Sequence, residues 1–281
     1  MRVAAFSLLA LTISCATAPH SAPVPAPVAM ATQASQTSPA PPLPPPCSKV
    51  DFWVFYLDSA GSNFLFRGGM PIVNGQIAYQ ELIGTKFPDA AGRAGKTLPP
   101  PPYFIIDVSL VQVANPGNDQ QDLPIEYNYW TANPTLGQFV YWETDGSQID
   151  PNDPYFQNKQ PFRNALVKSV PAWLPDYLDP RVDQLHAWLQ NGIPGINVPI
   201  MIYVHCIGGC DRTGELSGAY ALKYLKMNWT DVNNMNYGDC YNHCVQFGCN
   251  NFHAARWYCY WLDSTQGGNL QCDATTTPPC H

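Results

Sequence analysis

The sequence is poor in charged residues, and basic residues are the scarcer kind. Charged side chains make up 12% of its 281 residues, with 14 Lys and Arg against 21 Asp and Glu, so the formal net charge is -7. Soluble domains usually carry about 25% charged residues. A protein that binds nucleic acid needs a basic face, so this balance argues against a nucleic-acid partner. Any affinity for phosphate must come from a local site, because the chain offers no broad positive potential.

Apolar runs long enough to cross a bilayer are also missing. The run over residues 3–13 is too short to span, follows the positive Arg2, and precedes the small residues Ala16-Thr17-Ala18, which is typical of a cleaved signal peptide. We therefore expect residues 1–18 to be a leader, the mature chain to be secreted or periplasmic, and no integral membrane span to remain. A lipoprotein cysteine at Cys15 and an uncleaved anchor are the alternatives.

Residues 19–46 lack the composition of a folded segment. They are dominated by Pro, Ala, Ser, Thr and Gln and end in Pro41-Pro42-Leu43-Pro44-Pro45-Pro46, so they predict an extended linker. The folded domain is expected to cover residues 47–281, including a cysteine-rich tail over residues 228–281.

The chain has no paired C-x-x-C motif, which argues against a zinc knuckle. It does have 10 cysteines, and if Cys15 leaves with the leader and one cysteine is a catalytic thiolate, eight remain, enough for four disulfides. In the tail, histidines accompany six of the cysteines, namely Cys240, Cys244, Cys249, Cys259, Cys272 and Cys280. Zinc is therefore the alternative, but an exported chain favours disulfides, and we predict no metal and no cofactor.

Hydrophobic patterning predicts an α/β fold. The apolar and β-branched runs predict strands, and the helical spacing of apolar residues predicts helices. The predicted strands are residues 52–57, 63–67, 103–108 and 199–204, and the predicted helices are residues 181–190 and 215–227. Residues 115–160 are rich in Asn, Asp, Pro and Gly and predict an irregular excursion. The order of elements indicates a central, mostly parallel twisted sheet flanked by helices.

The most informative segment joins the last predicted strand to the last predicted helix. It reads Val204-His205-Cys206-Ile207-Gly208-Gly209-Cys210-Asp211-Arg212-Thr213-Gly214. A tight glycine loop before a helix directs backbone N–H groups inward, and the helix N-terminus adds positive potential, so the loop suits an oxyanion. The same groups would stabilise a thiolate at Cys206. Arg212 is suited to grip two phosphate oxygens as a fork.

This segment resembles the signature of cysteine-dependent protein tyrosine and dual-specificity phosphatases, a histidine and cysteine separated by five residues from Arg-Thr-Gly. Its Asp211-Arg212-Thr213 version looks more like myotubularins and the bacterial triple-specificity phosphatases. The segment Leu65-Phe66-Arg67-Gly68-Gly69-Met70-Pro71 is similar to one in compact dual-specificity and phytase-like members, and Ile105-Ile106-Asp107 resembles the strand before their first crossover. The resemblance covers roughly residues 60–227, and it includes neither the excursion over residues 115–160 nor the cysteine-rich tail.

The resemblance implies a phosphate-monoester hydrolase that forms a phosphocysteine at Cys206. Residues 207–211 would bind the phosphate, that is Ile207, Gly208, Gly209, Cys210 and Asp211, and His205 would orient the loop. Thr213 would hydrogen-bond the cysteine sulfur or assist hydrolysis of the phosphocysteine. Cys210 has three readings, namely a reversible disulfide with Cys206, a disulfide elsewhere and a buried thiol.

The general acid of this family is an aspartate on a loop upstream of the cysteine. Trp173-Leu174-Pro175-Asp176 resembles that loop with one residue inserted, so we expect Asp176 to be the acid, with Asp179 and Asp211 as alternatives. Capping of the next helix is the other role open to Asp176.

The substrate remains open between a phosphorylated protein, a phosphorylated lipid and an inositol phosphate. The loop offers no lysine for a polyphosphate; nearby base would have to come from Lys159, Arg163, Lys168 or Arg181. A catalytically silent protein that binds a phosphorylated ligand is the alternative function.

Overall fold

The computed structural model describes residues 52–113, 118–241 and 248–274. The predicted leader and linker, and the cysteines Cys15, Cys47, Cys244 and Cys280, lie outside these ranges. Within them, no helix combines the length and the apolar character that a membrane crossing requires.

A five-stranded sheet forms the centre of the domain, in the order β1-β2-β7-β5-β6. Its strands are β1 (Val54–Ala60), β2 (Asn63–Gly68), β5 (Phe104–Ser109), β6 (Gly137–Tyr141) and β7 (Ile200–His205). β1 pairs antiparallel with β2, and every other neighbouring pair is parallel. The short strands β3 (Ile72–Val73) and β4 (Gln76–Ile77) form a separate hairpin. The predicted mostly parallel sheet is confirmed.

Helices cover both faces of this sheet. They are α1 (Tyr79–Glu81), α2 (Phe87–Arg93), α3 (Asn118–Ala132), α4 (Pro154–Gln157), α5 (Gln160–Lys168), α6 (Val170–Trp173), α7 (Leu178–Asn191), α8 (Asp211–Lys223), α9 (Trp229–Tyr241) and α10 (Cys249–Gln266), with a π-helical segment Leu82–Lys86 between α1 and α2. One core packs β2, β5 and β7 against α7, α8 and α10. A second core packs the other sheet face against α1, α2 and Trp130 of α3.

The predicted irregular excursion over residues 115–160 is wrong. It contains the 15-residue helix α3 and the edge strand β6. The polar composition and the internal Pro124 conceal the helix, which is fixed by tertiary contacts instead: Trp130 is buried, and its indole donates to Asp107 Oδ2 at 2.6 Å. Packing therefore overrides a weak local preference.

The cysteine-rich tail is mostly helical and packs onto the domain. Trp257 and Tyr258 of α10 are buried in the first core, as the aromatic residues of the tail predict. Cys259 of α10 forms a disulfide with Cys272, which confirms the disulfide prediction for this pair. The Arg256 guanidinium donates to the carbonyl of Cys272 at 2.8 Å, so the chain after α10 is fastened both covalently and by a hydrogen bond.

Candidate active site

The catalytic loop, residues 206–212, joins the central strand β7 to the N-terminus of α8. β7 ends at His205 and α8 begins at Asp211, four residues earlier than the sequence predicts. Arg212 and Thr213 therefore lie in the first turn of the helix. The predicted order of buried strand, glycine loop and helix is confirmed, and it places the loop at the carboxyl edge of the parallel sheet, where ligands bind in such folds.

Cys206 is a buried thiol that is not in a disulfide. Two cations interact electrostatically with it, Arg212 from α8 and Arg67 from β2. Burial alone would lower the pKa of Arg212, but Cys206, Asp119 and Asp211 raise it above its ordinary value. Cys206 therefore lies in a positively charged environment.

Arg67 lies completely buried beneath the catalytic loop. It donates to the Gly209 carbonyl at 3.4 Å and to Asn236 of α9, and it forms an ion pair with Asp239 at 3.9 Å. Burial lowers the pKa of Arg67, an effect that Asp239 and Cys206 oppose. Because the other end of its guanidinium is held by α9, Arg67 ties the loop to the tail.

The segment after β2 packs directly against the catalytic loop. The Met70 N–H donates to the Ile207 carbonyl at 3.1 Å, and Gly209 has φ of +71°. A Cβ at Gly209 would overlap the backbone of Gly68. Glycine is therefore required at position 209 both by conformation and by space, and the residues that resemble the phosphatase segment, 65–71, form one side of the loop.

Arg212 is positioned by α3. Its Nη1 donates to the carboxylate of Asp119, and that carboxylate also accepts the Gln112 N–H at 3.0 Å. The ion pair is mostly buried. Asp119 belongs to the region read from the sequence as irregular, so sequence analysis missed this partner.

His205 is enclosed by two carboxylates. Its Nε2 lies 2.9 Å from Asp107 Oδ1 and 2.9 Å from Glu126 Oε1, and all three side chains are buried. Burial opposes the imidazolium charge, but Glu126 and Asp107 together raise the pKa of His205 to about 10. Burial raises the pKa of Glu126 to about 7, against the opposing effect of His205. A charged His205 thus anchors the residue before Cys206, as expected for a residue that orients the loop.

Among the described residues, Asp107, Glu126 and His205 are close enough together to be considered as ligands of one metal ion. Their ligand atoms lie within 4.8 Å of one another. The four carboxylate oxygens already have neighbours, however: Trp130 donates to Asp107 Oδ2, Ser109 donates to Glu126 Oε2 at 2.9 Å, and His205 Nε2 lies against the other two. His205 Nδ1 has no hydrogen-bond partner among the described residues. We therefore assign the cluster to a buried ion-paired imidazolium.

Cys210, inside the catalytic loop, is in a disulfide. Cys206 is a thiol, and Cys259 pairs with Cys272, so the partner of Cys210 lies among cysteines whose side chains are outside the described residues. Of the three readings of Cys210, the structure supports a disulfide elsewhere. The loop is therefore covalently tied to another part of the chain, while Cys206 is a free thiol.

A polar pocket of about 440 Å³ opens beside the loop. It is lined by Gln112, Thr144, Asp145, Asp211, Arg212, Gly248, Cys249, Asn250 and Asn251. Of the predicted site residues, Asp211 and Arg212 line it, whereas Cys206 is buried and is not part of the lining. Ile207 and Gly208 are half-buried, and the Thr213 hydroxyl is buried without a hydrogen-bond partner among the described residues. Lys159, Arg163, Lys168 and Arg181 do not contribute to the lining.

Asp176 lies under the pocket, not on its surface. Its carboxylate accepts the N–H groups of Asp145 at 2.7 Å and Gly146 at 2.8 Å, and its side chain is 1% exposed. It does not cap α7, whose N-cap is Tyr177. The assignment of Asp176 as general acid stays a prediction, and its contacts are those of a residue that supports the segment 143–147.

A buried network extends this support. Arg181 donates to Thr144 Oγ1 at 3.0 Å and to the Glu143 carbonyl at 2.9 Å. Burial, together with Asp176, raises the pKa of Glu215 well above its usual range. Glu215 Oε2 accepts a hydrogen bond from the Asn251 side-chain amide at 2.7 Å. The network therefore joins α7, α8 and α10 beneath residues 143–147.

The other two acid candidates differ from each other. Asp179 accepts hydrogen bonds from Lys223 at 2.6 Å and Tyr258 at 2.8 Å and lines a different, apolar pocket. Asp211 lines the polar pocket, and burial raises its pKa, although the N–H of Gly248 and the charge of Arg212 oppose this. Asp211 is thus the candidate that the pocket and the electrostatics favour.

Comparisons with known proteins add a weak structural likeness. No protein-family model matches the chain, and no curated protein matches it in sequence. A structure of Cydia pomonella PTP-2 phosphatase is similar over 72% of this chain and 88% of that chain, at 12% identity and a TM-score of 0.35. A structure of human DUSP28 is similar over 78% of this chain and 96% of that chain, at 16% identity and a TM-score of 0.31. These scores are too low to carry an argument, so the function must be argued from the site itself.

Sequence analysis missed the pocket residues outside the motif. Asp145 follows the edge strand β6, and carboxyl ends of parallel strands share one edge of a sheet, so recognising β6 would have found it. Asn250 and Asn251 carry no comparable signal, because they reach the pocket only through the packing of α10.

Proposed function

We propose that this chain hydrolyses phosphate monoesters through a phosphocysteine at Cys206. The observation that carries the proposal is the pairing of a buried, reduced cysteine with Arg212, which interacts electrostatically with that cysteine and also lines the pocket. One guanidinium can therefore stabilise the thiolate and bind the incoming phosphate. This pairing is required of a nucleophile that attacks phosphorus and leaves a charged phosphoryl group beside a cation.

In the first step the Cys206 thiolate attacks phosphorus, the P–S bond forms and the P–O bond to the leaving group breaks. The departing oxygen needs a proton, which we assign to Asp211. A general acid must still hold its proton near neutral pH, and the raised pKa of Asp211 supports this role. Arg212 neutralises the equatorial phosphoryl oxygens.

In the second step water attacks the phosphocysteine and the thiolate leaves. The Asp211 carboxylate, which has just lost its proton, accepts one from the water. The Thr213 hydroxyl, buried and without a described partner, is available to hydrogen-bond the departing sulfur. This assignment keeps each proton within the pocket.

Export and the leader over residues 1–18 are part of the proposal. A reduced cysteine beside an oxidised Cys210 and an oxidised Cys259–Cys272 pair fits an oxidising compartment in which disulfides persist. We propose a phosphorylated protein, lipid or inositol as the broad substrate range, with a tyrosine or dual-specificity type of activity.

A silent phosphoryl-binding protein is the second candidate. It is favoured by one observation, that Cys206 is buried and absent from the pocket lining. An assay of p-nitrophenyl phosphate hydrolysis by the wild type and by Cys206→Ser distinguishes the two functions. We expect turnover by the wild type, none by the variant, and vanadate binding by both. Vanadate binding without turnover by the wild type would establish the silent protein instead.

A further inference from the structure

The pocket is much larger than one phosphoryl group needs. Its volume of about 440 Å³ lies within the range of about 300–1,000 Å³ that small-molecule sites occupy. If Arg212 binds the phosphate, the other lining residues face the leaving group. The chemistry of those residues therefore indicates which leaving group the pocket fits.

The charge of the lining suits a single phosphate. Arg212 is its one cation among the described residues, and it already pairs with Asp119, whereas Asp145 and Asp211 contribute two carboxylates. In the sequence, residues 114–117, just after Gln112, and residues 242–247, just before Gly248, contain no Lys or Arg. A second phosphate would have no cation to neutralise it and would meet like charge, which is unfavourable in a partly desolvated site.

The uncharged part of the lining is built of amides and a hydroxyl. Three of these groups already have partners: the Gln112 amide donates to Asp145, the Asn251 amide donates to Glu215, and the Thr144 hydroxyl donates to the Trp142 carbonyl and accepts from Arg181. The Asn250 side chain is exposed, and no described residue hydrogen-bonds it. Its amide both donates and accepts hydrogen bonds, as a hydroxyl group does, so it is suited to a hydroxylated ligand.

We propose that the substrate is a singly phosphorylated polyol, such as a sugar or inositol monophosphate. The inference rests on the proposed function. Arg212 binds the phosphate, and Asn250, together with the Gln112 carbonyl and the Asp145 carboxylate, hydrogen-bonds the hydroxyl groups of the leaving alcohol.

The selective part of the pocket comes from the cysteine-rich tail. Gly248, Cys249, Asn250 and Asn251 stand at the N-terminus of α10. This end is held firmly, because the Ser147 N–H donates to the Asn250 carbonyl at 2.8 Å and a Cβ at Gly146 would overlap the Asn250 backbone. A prepositioned wall loses little entropy when a ligand binds.

Matched alkyl phosphates test the inference. Sorbitol 6-phosphate and hexyl phosphate share a chain length and a phosphate, but only the first carries hydroxyl groups. We expect kcat/KM for sorbitol 6-phosphate to exceed that for hexyl phosphate, and also that for inositol hexakisphosphate, by roughly tenfold or more, the worth of one or two hydrogen bonds. Equal or reversed preferences would overturn the inference.

The variant Asn250→Ala should reduce the sorbitol-to-hexyl ratio of kcat/KM severalfold. Asn164→Ala, an exposed asparagine of α5 outside the pocket, is the matched control and should leave the ratio intact. An unchanged ratio in Asn250→Ala would contradict the inference even if sorbitol 6-phosphate were preferred. Failure of the wild type to hydrolyse p-nitrophenyl phosphate would instead contradict the proposed function, so the two failures are distinguishable.

Discussion

Two parts of the chain line the same pocket but are built differently: the catalytic loop and the opposite side of the pocket, which we call the wall. The catalytic loop is one continuous segment, residues 206–212, held between β7 and α8. The wall combines residues 143–147 with the N-terminus of α10, two segments far apart in sequence. The proposed chemistry thus depends on one local segment, whereas the proposed selectivity depends on how distant parts of the chain pack.

The two parts also differ in how buried charge supports them. Ion pairs hold the catalytic loop. Arg67, beneath the loop, pairs with Asp239, and Arg212, within the loop, pairs with Asp119. His205, just before the loop, lies between two carboxylates. The wall rests on Asp176 and Arg181, which bond mainly to its backbone. Changes under the loop should therefore affect the chemical step, and changes under the wall should affect stability and selectivity.

The largest effect is expected from the acid on the catalytic loop. Asp211→Asn should slow hydrolysis of alkyl phosphates by about two to four orders of magnitude, the usual worth of a positioned general acid. It should slow p-nitrophenyl phosphate much less, because that leaving group needs little protonation. Steady-state kinetics with both substrates checks this, with Asp145→Asn as the matched variant on the wall. A larger loss of alkyl phosphate hydrolysis in Asp145→Asn than in Asp211→Asn would show that the general acid is Asp145, not Asp211.

A smaller loss is expected when the covalent tie of the loop is removed. Because Cys210 is in a disulfide and Cys206 is not, a non-thiol reductant should lower activity severalfold by freeing the loop. Cys210→Ser should reproduce this loss without reductant. Activation by the reductant would contradict the account, since it would mean that the nucleophile is oxidised in the resting protein.

A substitution at Asp176 tests how the wall, and not the catalytic loop, is supported. Asp176→Asn removes the charge that accepts two backbone N–H groups of residues 143–147 and faces Arg181, so we expect it to lower the free energy of unfolding by about 1–3 kcal/mol. Denaturant unfolding measures this, with the exposed Asp89→Asn as the control. If Asp176→Asn instead keeps its stability and slows alkyl phosphates by two orders of magnitude or more, Asp176 is the acid, as the sequence predicts.

A further prediction is a pH dependence of stability beneath the loop. With a pKa raised to about 7, Glu126 binds a proton in the folded state that the unfolded state has released above its ordinary pKa of 4.5. Stability should therefore fall as pH rises from about 4.5 to 7. His205, with a pKa of about 10 against an ordinary 6.5, should continue the fall up to about pH 10.

Glu126→Gln should flatten the first part of this profile and also weaken the second, because the Glu126 charge is the largest of the effects that raise the pKa of His205. A tenfold change in proton affinity is worth about 1.4 kcal/mol, so urea unfolding at several pH values resolves it. Glu81→Gln, on the surface of α1, is the control. A slope that persists below pH 7 in Glu126→Gln would show that Glu126 does not hold the proton.

The sequence predicts the catalytic loop well because the loop is short-range. Local sequence predicts strand β7, the glycine turn at residue 209 and a helix that begins after the loop. The helix begins earlier than its apolar periodicity indicates. The partners of the loop are long-range. Asp119 and Glu126 lie on α3, whose polar composition gives no helical pattern, so their roles were not predictable without the fold.

The wall shows the opposite case. The sequence identifies the tail through its cysteines and aromatic residues, and the structure confirms that Trp257 and Tyr258 pack it onto the domain. Nothing in the pattern says that the packing brings Asn250 to the pocket, because that contact depends on the position of α10 against α8 and residues 143–147. Asp176 is likewise recognisable by its loop but not by its burial.

The central claim is a covalent phosphoryl group on Cys206. The direct measurement is acid quenching during turnover of p-nitrophenyl phosphate, followed by mass spectrometry of the peptide that contains residues 206–212. The account predicts one phosphate on Cys206 in the wild type, more of it in Asp211→Asn because hydrolysis of the intermediate is slowed, and none in Cys206→Ser. Turnover with no phosphate on Cys206 in either the wild type or Asp211→Asn, or with phosphate on another residue, would contradict it.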